Sequence, residues 1–253
     1  ELTTLAQLAV VGVLGFRLPL PRYVLVGDQS SGKTSVVEAL VGAELSVKDA
    51  TMATRRPLLL TLLKGKPGEP MHAQFAGDDS SRRTTDFAEV QARVAAENDV
   101  VGEVSPEPIG LTVTGEHLTP MVLIDLPGFI VTPTPSQPSD LPEQITALNE
   151  PFLRDPLNLL CVVNTAGADM ATSLALREAR RADPKGVRST GVISKIDLVG
   201  SNKDNLVNLL LGTAMTSDFA GGRFGVRCRT HQEQIDNVSF EDVLAREADW
   251  VAQ

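Results

Sequence analysis

The chain has 253 residues, of which 42% are hydrophobic and 22% are charged, and its net charge is −9. These values are typical of a globular protein with one α/β domain or two smaller domains. The acidic balance argues against non-specific nucleic-acid binding, which needs clustered Lys and Arg, but it does not exclude one small anion in a local basic pocket. No apolar run reaches about 18 residues, so no membrane-spanning helix is predicted.

Apolar, β-branched runs alternate along the chain with segments of helical periodicity. This alternation predicts an α/β fold with a mixed, mostly parallel sheet covered by helices on both faces. Residues 109–126 read as two neighbouring antiparallel strands joined by a short turn, whereas residues 64–86 and 132–140 read as irregular. Predicted strands cover 22–27, 56–63, 109–115, 120–126, 157–164 and 189–195, and predicted helices cover 33–42, 140–153, 173–182 and 202–212.

The first motif is GDQSSGKT, residues 27–34, which matches G-x-x-x-x-G-K-[ST] between a predicted strand and a predicted helix. Its glycines let backbone N–H groups curl around an anion, and the helix N-terminus adds the positive end of its dipole. Lys33 is predicted to bind the β- and γ-phosphates of a nucleotide, and the Thr34 hydroxyl is predicted to bind Mg²⁺. The predicted phosphate-binding residues are Ser30, Ser31, Gly32, Lys33, Thr34 and Ser35.

The second motif is MVLIDLPG, residues 121–128. Asp125 ends an apolar strand at the edge of the sheet where ligands bind in such folds, and it is predicted to hold a water molecule of the Mg²⁺ shell. Gly128 is predicted to offer its N–H to the γ-phosphate and to let the following segment move when that phosphate leaves.

The third motif is VISKID, residues 192–197, and it indicates which base is bound. Asp197 can accept hydrogen bonds from N1–H and the exocyclic amine of guanine, while the stem of Lys195 lies along the base. Adenine presents the opposite donor pattern and would leave the carboxylate unpaired, so GTP is the predicted nucleotide. Ser194 stands where Asn or Thr usually begins this motif.

With these motifs in order, the chain resembles the GTPase domain of the dynamin superfamily over nearly its whole length. The likeness lies in GDQSSGKTS (27–35), ATRRP (53–57), DLPG (125–128) and ADPKGVRSTGVISKIDLV (182–199). The resemblance implies a three-layer P-loop NTPase fold and Mg²⁺-dependent GTP hydrolysis. It also implies a GTPase domain over residues 21–253, with residues 1–20 as a flanking segment suited to a helical bundle.

The resemblance assigns the catalytic roles. Thr54 matches the switch I threonine, which completes the Mg²⁺ shell and positions the attacking water. Gln29 matches the residue that orients this water, and Ser30 and Lys33 match residues that neutralise developing charge. Phe129 stands where Ras-like proteins have a catalytic glutamine, so hydrolysis is expected to be slow without activation.

Other positions concern dimerisation and departures from the family. Asp169 matches the acidic position of a loop through which two GTPase domains contact each other, and this self-association is the implied activation. Residues 228–230, CRT, match an Asn-Arg-Ser run that contacts the base in the family, so Cys228 and Arg229 are expected base contacts, with Cys228 in the place of Asn. Asp49 and Thr51 replace glycines that help to bind a monovalent cation in many members, so a dependence on K⁺ or Na⁺ stays open.

Four segments, TMATRRPLLLTL, SPEPIGLTV, MVLIDLPGFI and ARRADPKG, resemble the mitochondrial inner-membrane fusion type of dynamin. That likeness implies membrane fusion and cristae remodelling at the inner membrane and intermembrane space, with membrane contacts made outside this chain. Two alternatives stay open. One is a cytoplasmic, peripheral-membrane scission GTPase, and the other is a non-catalytic, GTP-gated dimerisation module.

Overall fold

The computed structural model describes residues 22–46, 54–79, 81–99, 104–199, 210 and 219–252. The strands are β1 (Arg22–Gly27), β2 (Leu58–Lys64), β3 (His72–Phe75), β4 (Ile109–Gly115), β5 (Met121–Asp125), β6 (Asn158–Thr165), β7 (Ser189–Ser194) and β8 (Arg223–Val226). The helices are α1 (Lys33–Val41), α2 (Phe87–Asn98), α3 (Leu141–Arg154), α4 (Leu174–Ala182), α5 (His231–Ile235) and α6 (Phe240–Ala252), with 3₁₀ turns at Met170–Thr172 and Ile196–Val199.

These strands form one mixed sheet in the order β3-β4-β2-β5-β1-β6-β7-β8. In the half of the sheet from β5 to β8, all neighbouring strands are parallel. In the other half, β2 is antiparallel to β5 and β3 is antiparallel to β4. The predicted mixed, mostly parallel α/β sheet is confirmed. Since β1, β5 and β7 share one direction, the loops that follow them meet at one edge of the sheet.

Helices cover both faces of the sheet and form two apolar cores. Val24 packs in one core with Ile145 of α3 and Leu176 of α4. Its neighbour Leu25 packs in the other core with Val37 of α1. Successive residues of a strand point to opposite faces, which explains why β1 is apolar throughout.

The prediction that β4 and β5 pair as neighbours is wrong, because β2 lies between them. Leu60 of β2 is paired with Leu111 of β4 on one side and with Leu123 of β5 on the other. The run of leucines in β2 explains this position, because an apolar strand is better placed inside a sheet than at an exposed edge. The two strands are antiparallel in direction but do not bond to each other.

Other differences concern short elements. The segment 64–86, predicted to be irregular, contains β3, whose Ala73 exchanges backbone hydrogen bonds with Thr84. Helix α2 was not predicted, although the Asp86 side chain caps its first turn. Strand β2 begins at Leu58 rather than at residue 56. The predicted helix 202–212 lies outside the described residues apart from residue 210, and so does the flanking segment 1–20.

Helices in the described part of the chain are all too short or too polar to cross a bilayer.

Candidate functional site

The loop between β1 and α1 is folded as a concave site for an anion. Ser30 and Gly32 have positive φ angles of 62° and 92°, a conformation that directs backbone N–H groups into a nest. Gly27 leaves no room for a side chain, since an ideal Cβ there would lie 2.3 Å from Oγ of Ser31. Helix α1 begins at Lys33, and no described side chain caps it. Its first N–H groups are therefore available to a ligand.

Lys33 and Asp125 are both buried beneath this loop. The Lys33 side chain is 6% exposed, and its Nζ donates to the carbonyl oxygens of Gly27 at 3.0 Å and Asp28 at 3.3 Å. Burial lowers the pKa of Lys33, an effect that the nearby Asp125 and Asp28 oppose. Burial raises the pKa of Asp125 to about 6, and Lys33 and the hydrogen bond from Thr34 oppose that rise.

The cluster fits a phosphate-bound Mg²⁺. Thr34 Oγ1 donates to Asp125 Oδ2 at 2.7 Å. Asp125 Oδ1 and Ser31 Oγ are buried and have no partner among the described residues. Hydroxyl and carboxylate oxygens are hard ligands that suit Mg²⁺, which binds through one or two protein groups together with phosphates. Thr34 and Asp125 could hold the metal, the latter through water, and Lys33 could hold the phosphate.

The segment after β5 is attached directly to the phosphate-binding loop. Phe129 N donates to Gly27 O at 3.1 Å, and Gln29 N donates to Phe129 O at 2.8 Å. An ideal Cβ on Gly128 would lie 2.9 Å from Lys33 Nζ. The structure therefore brings together Lys33 and Gly128, the two residues predicted to bind the γ-phosphate.

A cavity of about 320 Å³ continues from the phosphate-binding loop, within the usual size range of small-molecule sites. It contains all four residues predicted to contact the base. Thr230 belongs to the CRT run, whereas Gln234 was missed. Gln234 lies on the short helix α5, whose only sequence signal is the capping box of Thr230 and Glu233. The lining residues are Gly32, Ser35, Ser194, Lys195, Asp197, Leu198, Cys228, Arg229, Thr230 and Gln234.

Hydrogen bonds fasten this cavity to the phosphate-binding loop. Ser194 Oγ donates to Ser31 O at 2.5 Å and also lies 3.2 Å from Asn164 O. Lys195 Nζ donates to Ser30 O at 2.9 Å. The hydroxyl of Ser194 thus links the base cavity to the phosphate-binding loop, at a position where Asn or Thr is usual.

Arg229 forms part of the cavity wall and is held from two sides. Its Nη1 donates to Glu44 Oε1 at 2.8 Å, and its guanidinium lies 4.8 Å from the centroid of the Phe240 ring. The neighbouring Arg227 N donates to Glu247 Oε1 of α6 at 2.6 Å. Cys228, between them, is half-buried.

Thr54 comes to the same edge of the sheet as Asp125. Strand β2 is antiparallel to β5, and its first residue, Leu58, lies opposite Asp125. The chain that precedes Leu58 therefore emerges beside the phosphate-binding loop. Asn98 of α2 holds this segment, because its Oδ1 accepts from Arg55 N at 2.8 Å. Asp49 and Thr51 lie outside the described residues.

The remaining predicted residues are on the surface. Gln29 and Ser30 are exposed on the phosphate-binding loop. Asp169 is also exposed, and its Oδ1 accepts from Ala171 N at 2.9 Å, which orders the turn after β6.

Asp125 gives the site a testable pH dependence. Its folded pKa of about 6 lies above the ordinary 3.8, so the buried neutral form stabilises the fold below about pH 4 and this stabilisation is lost as the pH rises through 6. Without nucleotide or Mg²⁺, the unfolding free energy of the wild type minus that of Asp125→Asn is expected to fall by about 2 kcal/mol between about pH 4 and pH 7. Urea denaturation at several pH values measures this difference. A difference that stays flat or increases with pH would contradict the expectation.

Comparison with known proteins identifies the family. The family model described as "Dynamin family" matches residues 24–196. "Dynamin-related protein 3B" of Arabidopsis thaliana is 38% identical over 239 residues, which cover 91% of this chain and 30% of the relative. "Dynamin-like GTPase MGM1, mitochondrial" of Chaetomium thermophilum is 39% identical over 207 residues, covering 81% and 21% of the two chains. "Dynamin-2" of Homo sapiens is 40% identical over 191 residues, covering 74% and 22%.

The chain spans at most 30% of the length of these three relatives. The matched region contains the phosphate-binding loop, the Asp125 segment and, of the cavity lining, Gly32, Ser35, Ser194 and Lys195. The chain therefore belongs to the dynamin family of GTPases.

Proposed function

We propose that this domain binds GTP together with Mg²⁺ and hydrolyses it to GDP and phosphate. The observation that carries the proposal is the continuity of the site. One cavity joins Asp197, a carboxylate suited to guanine, to Gly32 and Ser35 beside the buried ammonium of Lys33. A purine nucleotide can lie along this cavity with its base beside Asp197 and its phosphates beside Lys33.

At the base end, Asp197 accepts the N1–H and the exocyclic amine of guanine, and the stem of Lys195 lies against the ring. The bond from Lys195 Nζ to Ser30 O supports this placement, because it holds the side chain across the cavity mouth. Cys228 and Arg229 form the far wall. Adenine would leave the Asp197 carboxylate without donors, which is unfavourable for a half-buried charge.

At the phosphate end, Lys33 and the N–H groups of Gly32 and of the first turn of α1 bind the phosphates, and Gly128 N–H binds the γ-phosphate. Thr34 holds Mg²⁺ directly and Asp125 holds it through water. Bound Mg²⁺ supplies neutralisation of the charge on the β- and γ-phosphates. Preorganised donors of this kind account for most of the catalysis in phosphoryl transfer.

For hydrolysis, water attacks the γ-phosphorus in line, the bond to the β–γ bridging oxygen breaks, and the proton of the water passes to the products. Gln29 orients this water, Thr54 positions it, and Ser30 with Lys33 neutralises the developing charge. Phe129 offers no amide for this work, so the isolated domain is slow. Contact between two GTPase domains through the Asp169 loop orders the catalytic groups and accelerates the reaction.

In the whole protein, we infer that this domain occupies residues 21–253 and drives membrane remodelling through parts outside this chain. A mitochondrial inner-membrane role is supported by the four segments named above and by relatives whose names carry the word mitochondrial. A cytoplasmic scission role is the second candidate, since Dynamin-2 is matched at a similar identity.

Steady-state phosphate release from GTP and from ATP, measured over a range of protein concentrations with Mg²⁺, tests the proposal. We expect phosphate release from GTP and none from ATP, and the rate per protein molecule is expected to rise with protein concentration. The same measurement in K⁺, in Na⁺ and without either cation tests the dependence on a monovalent cation. A rate that stays flat would remove dimerisation as the activator. Binding of GTP without release would indicate the non-catalytic dimerisation module, and equal use of ATP would overturn the guanine assignment.

A further inference from the structure

Asn149 is a polar residue in the middle of an apolar helix face. Its side chain is completely buried, and its Nδ2 donates to the carbonyl oxygen of Pro127 at 2.9 Å. Its Oδ1 is buried without a partner among the described residues. The other buried residues of α3 are Leu141, Ile145, Leu148 and Leu153.

This arrangement is poor for stability alone. A buried amide oxygen without a partner loses its hydrogen bonds to water and regains nothing, so an apolar residue would suit this helix face better. Residues that cost stability are often kept for function. A functional role for Asn149 therefore has to come from its one donated hydrogen bond, which is made to the peptide group between Pro127 and Gly128.

The bond to Pro127 O fixes the direction of the Gly128 N–H. No cis peptide occurs in the described chain, and the C=O and N–H of a trans peptide point to opposite sides. Helix α3 packs in the core on one face of the sheet, whereas α1, which starts at Lys33, packs in the core on the other. A carbonyl held toward α3 turns the Gly128 N–H away from α3, and the Lys33 ammonium lies beside Gly128.

The next residue is also held. Phe129 N donates to Gly27 O, and Phe129 O accepts from Gln29 N. The Pro127–Gly128 peptide thus lies between a side-chain clamp from α3 and a backbone clamp from the phosphate-binding loop. Gly128 N–H itself has no backbone acceptor within the described ranges, so it is available to a ligand.

We propose that Asn149 is a positioning residue that holds the Gly128 N–H toward the γ-phosphate before GTP binds. The inference rests on the proposed function, because it assumes that the anion beside Lys33 is the γ-phosphate of GTP. Asn149 lies outside the nucleotide-binding motifs, and through the Gly128 N–H it would help the site to distinguish GTP from GDP. Without Asn149 the peptide is free to rotate, and part of the binding energy for the γ-phosphate is spent on ordering it.

The test compares affinities for GDP and for a non-hydrolysable GTP analogue in the purified chain with Mg²⁺. In Asn149→Leu, which keeps a similar volume, the affinity for the analogue is expected to fall about tenfold relative to that for GDP, as for a hydrogen bond to a charged group. The melting temperature without nucleotide is expected to change little, because two effects offset each other. The substitution removes the buried, unpartnered Oδ1, which is stabilising, but it also removes the hydrogen bond to Pro127 O, which is destabilising. If Asn149→Leu does not fold, Asn149→Ala removes the same donor without adding bulk.

Asn158→Leu is the matched control. Asn158 is also completely buried and also donates to a backbone carbonyl, that of Phe152 at 2.8 Å, but its Oδ1 is satisfied by Arg22. It lies at the start of β6, at the end of the sheet opposite to the site. Its replacement is expected to lower the melting temperature and leave the ratio of the two affinities unchanged.

The outcomes separate the inference from the proposed function. An unchanged affinity ratio in a folded Asn149 variant overturns the positioning role. An equal loss of affinity for both nucleotides, accompanied by a lower melting temperature, also overturns it, because that is the result of general destabilisation. Failure of the wild type to bind either guanine nucleotide refutes the proposed function itself, and the inference falls with it.

Discussion

Replacement of Lys33 by Ala is expected to reduce GTP turnover by about a thousandfold or more. Lys33 carries the buried ammonium group at the phosphate end of the site, and its Nζ contacts only backbone carbonyls of residues 27 and 28 by hydrogen bonding. Without it, the γ-phosphate loses its nearest positive charge in a poorly hydrated place, where charge stabilisation is largest. Phosphate release under saturating GTP and Mg²⁺ measures the loss.

The fold should survive this change. A buried ammonium is costly to desolvate, and burial already lowers the pKa of Lys33, so the melting temperature of the nucleotide-free Lys33→Ala protein is expected not to fall. The exposed Lys185, in the loop before β7, provides a matched control, and Lys185→Ala should keep wild-type turnover. Turnover of Lys33→Ala within a few-fold of wild type would show that the phosphates bind elsewhere.

Replacement of Asp197 by Asn is expected to change which base is bound. In the proposed complex the carboxylate of Asp197 accepts two hydrogen bonds from guanine. Each bond to a charged group contributes on the order of 1.5–3 kcal/mol, so GTP affinity should fall about a hundredfold or more. Xanthine has a carbonyl in place of the exocyclic amine, and the Asn amide can donate to it. Asp197→Asn is therefore expected to bind xanthosine triphosphate more tightly than GTP.

Competition between the two triphosphates for the protein measures this change. Asp236→Asn is the control, because Asp236 is exposed at the end of α5 and does not line the cavity. A variant at Asp197 that weakens GTP without improving xanthosine triphosphate would indicate general damage to the cavity. A variant that binds GTP as well as the wild type would place the base away from Asp197.

The amino-acid sequence by itself determined the identity and order of the nucleotide-binding segments. Residues 27–34 are contiguous, and their chemistry depends on local backbone geometry: the positive φ of Gly32 and the N-terminus of α1 are both built by neighbours in the chain. Strands such as β1 and β6 were predictable for a related reason. Apolar runs without alternation indicate burial on both faces, which is a local signal.

Tertiary structure decided the rest, because pairings between distant segments leave little trace in any one of them. Leucines in β2 are compatible with an edge or a centre, and only the bonds to β4 and β5 place it between them. Helix α5 is too short to show a period, yet it completes the base cavity with Gln234. Asn149 lies 22 positions from Pro127 in the chain. Its contact with the Pro127–Gly128 peptide therefore results from the packing of α3 on the sheet, and no sequence motif indicates it.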